Sequence, residues 1–427
     1  MKTNFLQRFW RGRSNYEKAL FFVFLLSLPF LHAQVGGDGV GYYAYLRSPL
    51  VDHNFSFSSD FQNPNEELLK IFLVDHFIDN PITKTGHLPN FYSVGPAILW
   101  SPFLIPTHLA VFGLAHLGWH IAPDGHSWPY LAAMTASTAL YGFAGLCLSF
   151  AVARRFVKEQ WAFWATIGVW FGSSVPMYIY LLPAWSHAHS VFVDALFLWY
   201  WLRTRVTRTS RQWLKLGLLS GLMIDVYQLN AAFLVAVAFE VFSSYAEILA
   251  PGRSRQEGFA NTLRLHTIFG GGTLFALLPT FIARQIVFGN PLSMGPYALS
   301  TWNWASPALE KVLFSTDHGL FIFTPILVLA RFFISLTPIF ILGLASLFAW
   351  AARLWPESRG ASVRVVPLVV LFVVWNLGLL YQWQTHLLPR FGSVYWEELV
   401  YNQFRVVPAQ ALRDLREKLR LPGSVRN

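Results

Sequence analysis

The chain has 427 residues, 54% hydrophobic and only 13% charged, about half the charged share of a soluble domain. With 17% aromatics, this excludes a disordered chain, a coiled coil and an ordinary cytosolic enzyme, and the single cysteine, Cys147, excludes a disulfide framework or a cysteine metal cluster. The net charge of +10 does not point to nucleic acid, because the basic residues lie between apolar runs and so report membrane topology.

In chain order, the apolar runs predict an all-α polytopic membrane protein of about nine transmembrane helices: 19–34, 128–152, 161–181, 190–203, 213–228, 230–249, 265–287, 323–350 and 363–383. The first run follows a basic stretch and ends near Leu31-His32-Ala33, a pattern that also fits a cleavable signal peptide. The segment 91–118 is apolar too, but Pro96, Pro102 and Pro106 interrupt it. Proline removes a helix hydrogen bond, so this segment is expected as broken juxtamembrane helices on the outer surface. Charge favours that choice. With a cytoplasmic N-terminus, the inside segments carry nineteen basic residues and the outside segments four, Arg47, Lys70, Lys84 and Lys311. A tenth span at 91–118 would invert the next four basic loops. The tail 384–427 breaks the pattern with seven basic residues on the outside. It either hides a further crossing or lies on the membrane surface.

Polar residues concentrate in 35–90, part of a long first outer loop, 35–127. Seven acids lie there, Asp38, Asp52, Asp60, Glu66, Glu67, Asp75 and Asp79. Asp38 stands four residues after the first span, between Gly37 and Gly39. A carboxylate there is placed to act on a lipid headgroup as a general base, with cationic groups or a divalent ion, Mg or Mn, holding a departing phosphate. The plain alternative is a turn residue in a glycine-rich loop.

Ionisable residues inside spans are functional candidates. Arg284 could grip a phosphate or snorkel as an anchor. Asp194 and Asp225 lie near outer span ends and could line a cavity. Glu240 suits a helix–helix hydrogen bond, and Arg331 could neutralise an acid. Lys311 and His318 flank 313–321, where His318 could donate to a phosphate or sugar oxygen. His187 and His189 form a weak metal pattern in a short outer loop.

Several stretches together carry a resemblance. They are Gly37-Asp38-Gly39 with Tyr42-Tyr43 and Arg47-Ser48, then Thr85-Gly86-His87-Leu88-Pro89-Asn90, then Gly95-Pro96 through Pro102-Phe103, and Leu313-Phe314-Ser315-Thr316-Asp317-His318-Gly319 with Thr324-Pro325. In this order the chain resembles the GT-C superfamily of integral-membrane glycosyltransferases, which includes protein O-mannosyltransferases and the bacterial enzymes that add aminoarabinose to lipid A. The resemblance covers roughly 15–383, a GT-C-like transmembrane domain (1–383), and leaves 384–427 as a shortened tail. It implies an inverting glycosyltransferase of the bacterial inner membrane with its active site facing the periplasm. The donor would be a polyprenyl-phosphate-linked sugar and the acceptor a lipid, glycan or protein. Asp38 would be the base, with Asp52 or Asp60 as the second acid, and Tyr42, Tyr43, Arg47, His87, Asp225, Arg284, Lys311 and His318 would bind substrate. His87-Leu88-Pro89 resembles the family's His-Pro-Pro stretch, with Leu88 replacing the first proline. Two other readings remain beside this one: a transporter or flippase of a lipid or small solute, and a catalytically inactive relative.

Overall fold

The computed structural model describes residues 12–61, 82–249, 255–293, 336–354, 360–388 and 394–419. Every regular element among them is helical. The α-helices, in chain order, are α1 (Asn15–Ser27), α2 (Gly39–Arg47), α3 (Ser58–Phe61), α4 (Gly95–His116), α5 (Trp128–Ala153), α6 (Glu159–Gly172), α7 (His187–Thr204), α8 (Ser210–Val226), α9 (Val235–Leu249), α10 (Arg255–Phe288), α11 (Thr337–Leu354), α12 (Gly360–Gln384), α13 (Trp396–Tyr401) and α14 (Val407–Leu419).

Among the described residues six stretches are long and apolar enough to cross a membrane: Gly95–His116, Trp128–Ala153, Gln228–Leu249, Gly258–Phe288, Thr337–Leu354 and Val365–Gln384. The protein is a multi-pass helical membrane protein. Five of the six coincide with expected spans, the one at 323–350 through its described part. The other four expected runs form helices that are shorter or more polar: α1, α6, α7 and α8 have 13, 14, 18 and 17 residues. At 1.5 Å per residue a 13-residue helix covers only about 20 Å of a hydrocarbon core about 30 Å thick. Proline explains one shortfall, since Pro29 turns the end of the first run into a 3-10 segment, Leu28–Phe30.

The expectation that the helix at 91–118 is broken is corrected. The sixth candidate span, α4, is one continuous helix of 22 residues despite its prolines. Pro96 sits in the first turn, where a missing N–H costs nothing. Pro102 cannot bond the Ile98 carbonyl, and the Ser101 hydroxyl donates to that oxygen instead, at 2.7 Å. Serine commonly restores backbone bonds lost to proline in membrane helices. α4 runs antiparallel to the start of α5: Trp100 Nε1 donates to Thr138 Oγ1 at 2.9 Å, and His108 Nδ1 lies 2.7 Å from the Tyr130 hydroxyl. It meets α7 at that helix's first turn, where Trp100 packs on His189. It meets α8 at that helix's last turn, where Gly95 rests on the backbone of Asp225 and Val226.

Two ends of the bundle are distinguished. At one, Arg154 bonds Glu17 and Glu159 at 3.3 and 3.1 Å, and Arg208 bonds Glu240 at 2.7 Å. Glu240 also accepts from Trp201 Nε1 at 2.8 Å, so it does tie helices together. This is the basic end. At the other end, His32 N donates to Tyr180 O (2.8 Å), Gln34 to Leu181 O (2.8 Å), Trp185 Nε1 to Gly36 O (3.0 Å), and Gln384 Nε2 lies 3.1 Å from His32 Nε2. The chain then enters α2, so this is the Asp38 end.

Among the described residues four apolar clusters form: one joins α1, α5, α6, α11 and α12, a second gathers α2, α4 and the end of α10, a third joins α7 to α10, and a small fourth seats Leu388, Val394 and Leu399 on Leu379 of α12. α8 lies flush on α10 because Gly217 and Gly221 face the carbonyls of Phe269 and Thr273, leaving no room for a Cβ. Small residues one turn apart are how membrane helices reach this closeness. The tail settles against α12. Gln382 Nε2 donates to Gln403 Oε1 at 2.7 Å, Gln403 Nε2 to Trp375 O at 2.9 Å, and the Tyr381 hydroxyl to Asp414. Its described part, 394–419, contains no candidate span, which removes the hidden-crossing alternative for those residues.

Candidate functional site

α2 is a nine-residue helix with two working faces. Positions 38, 42 and 45 follow one face at helical spacing, and 43 and 47 follow another. Asp38 occupies the N-cap position, yet its side chain makes no capping bond. Instead Asp38 Oδ1 accepts from the Tyr92 hydroxyl at 3.0 Å. The half-buried carboxylate is therefore oriented by a second segment, beyond the needs of a local turn. Tyr92 packs on Tyr42 with ring centroids 4.7 Å apart, and Ser186 Oγ donates to the Tyr42 hydroxyl at 3.0 Å. Tyr92 fits because position 41 is glycine: a Cβ there would lie inside the ring. The segment is clamped again by Asn90, whose Nδ2 donates to Gly41 O at 2.9 Å and whose carbonyl accepts from the Tyr45 hydroxyl.

The same segment reaches α10. The Thr83–His87 turn closes on itself, with Thr83 N donating to His87 O at 2.8 Å. His87 Nδ1 lies 3.1 Å from Thr85 Oγ1, which donates to Val287 O. Phe91 stacks on Phe288 at 4.9 Å. One turn earlier on α10, buried Arg284 acts electrostatically on both Tyr45 and Asp225. Asp225 is 1% exposed and neither oxygen has a hydrogen-bond partner among the described residues; the Thr280 hydroxyl faces it without closing a bond. Asp38, Tyr42, Tyr45, His87, Asp225 and Arg284 thus lie along one seam between α2, the 83–92 segment and the ends of α8 and α10. From Asp38 to Tyr45 the seam runs about 10 Å along the axis of α2.

Arg47, Asp52 and Asp60 are gathered with each other and not with Asp38. Arg47 pairs with Asp52 through Nη1, reaches Asp60 at 3.5 Å and donates from Nε to Asp124 O at 2.9 Å. His126 Nε2 lies 3.8 Å from Asp60, and the Tyr43 hydroxyl donates to Gly125 O at 2.6 Å. Burial pushes the Asp60 carboxyl up to about 6, with Arg47 pulling the other way. Burial lowers the His126 imidazole, with Arg47 adding to the effect, and burial raises the Tyr43 phenol, with Asp60 adding and Arg47 opposing. The cluster joins α2 to the loop before α5 and has the character of a structural lock.

The His187/His189 metal pattern is also corrected. The two residues open α7, and side chains two apart on a helix point to different sides. His189 is fully buried beside Trp100 and Tyr141, while His187 packs on Tyr178 at 4.2 Å. Among the described residues no three His, Cys, Asp or Glu side chains gather as a metal site. Asp194 is fully buried in α7. Lys311, His318 and Arg331 lie outside the described residues. Sequence reasoning missed Tyr92, Ser186 and Thr280. Nothing local marks them, because each matters through a partner distant in the chain.

No family model, curated protein or solved structure matches this chain.

Proposed function

We propose that this protein is an inverting glycosyltransferase that moves a sugar from a polyprenyl-phosphate donor to a lipid, glycan or protein acceptor on the periplasmic face of the bacterial inner membrane. The observation that carries the reading is the seam. An oriented carboxylate at one end and a buried guanidinium at the other share one face of α2. Asp38 takes the proton of the attacking hydroxyl or amine. The acceptor atom bonds the anomeric carbon from the side opposite the leaving group, and the bond to the phosphate oxygen breaks. Arg284 receives the negative charge that develops there, the role in which arginine excels. Tyr42, Tyr92 and Trp185 supply rings for the sugar. A divalent ion, if used, would neutralise the same phosphate.

The test is transfer from a radiolabelled polyprenyl-phosphate sugar in membranes. Asp38→Asn lowers the rate about 100- to 10,000-fold, the range for a positioned general base, with unchanged thermal unfolding. An undiminished rate rejects Asp38 as the base. A transporter reading draws on one separate observation, the buried Asp194 and Asp225 carboxylates that lack hydrogen bonds among the described residues. Solute uptake that proceeds without any sugar donor, and stops in Asp225→Asn, would favour it.

A further inference from the structure

α8 and α10 are drawn together at Gly217 and Gly221, and to one side of that contact their surfaces part. The gap is a groove of about 610 Å³, walled by Leu214 and Leu218 of α8 and by Ile268 and Phe275 of α10, with Gly271 at its floor and Arg211 at its mouth. Glycine makes the groove. A Cβ at Gly271 would meet nothing within 4 Å, whereas one at neighbouring Gly272 would press on Leu214. Leu214 and Phe275 are 43% and 67% exposed, so the groove opens outward along the wall of a candidate span. From Arg211 to Leu218 it descends about 10 Å, within the roughly 15 Å that one leaflet contributes to the hydrocarbon core. The opposite side of α10 is covered: His266, across the helix from 268, 271 and 275, packs on Tyr245 of α9 at 5.3 Å and on Trp213 of α8 at 5.0 Å.

Charge at the mouth is one-sided. From Ala195 to Ile224 the chain has five basic residues and no acid: Arg203, Arg205, Arg208, Arg211 and Lys215. Residues 250–264 add Arg253, Arg255 and Arg264 against one acid, Glu257. Glu17 and Glu159 are engaged by Arg154, and Glu240 by Arg208. Glu247 belongs to α9, which packs on the covered side of α10.

We propose that this groove binds one phospholipid of the leaflet at the basic end, with an acyl chain over Gly271 and the phosphate at Arg211. Three features select that occupant. The walls are apolar and lie within the hydrocarbon layer. The depth suits a chain of one leaflet, whereas a crossing helix from a second copy would need a groove of about 30 Å. The mouth is basic with no acid on its own segment, which attracts a phosphodiester and favours an anionic headgroup. The inference rests on the membrane-spanning fold and is independent of the proposed transfer reaction.

The test uses the intact protein in vesicles holding phosphatidylglycerol with a diazirine in one acyl chain. After irradiation, mass spectrometry is expected to find the adduct on 214–218 and 268–275. Gly271→Phe fills the floor and is expected to abolish that adduct. Gly270→Phe, with equally open space but off the groove, is expected to keep it. Unfolding followed by tryptophan fluorescence in detergent confirms that both variants are folded. Arg211→Gln is expected to weaken labelling about fivefold, the share of one cation near an anionic surface. Unlabelled phosphatidylglycerol should compete better than phosphatidylcholine. An adduct that survives Gly271→Phe would overturn the site. So would a cross-link joining two copies through 268–275, which would give the groove to a second protein. Stronger labelling by a diazirine polyprenyl phosphate would also overturn it and give the groove to a prenyl chain. Equal competition by the two phospholipids would overturn the part assigned to Arg211.

Discussion

Replacing Asp60 by Asn tests the Arg47 cluster through its pH dependence. Asp60 is 4% exposed and titrates at about 6 in the folded protein, against about 3.9 in an unfolded chain. The folded state therefore keeps a proton that the unfolded state releases between those values. Stability from this group is fully present below pH 4, falls as pH rises, and is gone above 6. A displacement of about two units corresponds to about 3 kcal/mol. Unfolding followed by tryptophan fluorescence in detergent, at steps from pH 4 to 7.5, measures it. The difference between wild type and Asp60→Asn cancels the other titrating groups. That difference is expected to change by about 3 kcal/mol in favour of the variant as pH rises. A flat difference, or one that turns toward wild type at high pH, would refute both the assigned burial penalty and the view that Arg47 fails to offset it.

Three other changes probe separate parts of the structure. Tyr92→Phe deletes the donor to Asp38, a bond to a charged group worth about 1.5–3 kcal/mol; transfer should fall at least about tenfold in protein still folded at the assay temperature, with stability lowered by no more than that amount, and an unaltered rate would detach Tyr92 from the site. Gly221→Leu forces a side chain into the Thr273 carbonyl and should destabilise the α8–α10 pair by about 1–3 kcal/mol or more, read as a lower unfolding midpoint in detergent. Glu240→Gln leaves Arg208, whose side chain is 2% exposed, without its counter-charge; a loss of about 3 kcal/mol is expected, and a neutral result would show that stacking of Arg208 over Trp213 (4.3 Å) suffices to hold it.

Apolar run length predicted where five of the six candidate spans lie, because hydropathy is a property of the residues themselves. The prolines led to an expected break in α4 that is not there, because the remedy for Pro102 is a single neighbouring hydroxyl, Ser101, invisible to composition. At α1, α6, α7 and α8 the described helices are shorter or more polar than the six that qualify by length and composition, and a bundle can bury such helices. Asp38 stood out from its flanking glycines and its place after the first run. The division of the acids could not be read the same way: Asp38 answers to Tyr92, while Asp52 and Asp60 answer to Arg47. Such pairing is decided by which segments meet, and 83–92 and 124–126 approach α2 from far along the chain. His187 and His189 looked like a chelating pair only while they were assumed to lie in a loop.

α2 is a rod about 13 Å long whose tip carries Asp38 and whose base is bolted by Arg47 to Asp52, Asp60 and Asp124. Loosening the bolts lets the tip wander. On the proposed reaction, an activity screen would then score Arg47 and Asp60 as essential through the position they give Asp38. Activity lost through such a pivot should return when the rod is stiffened by other means, such as a tighter contact at Tyr43. Activity lost with the Asp38 carboxylate would stay lost.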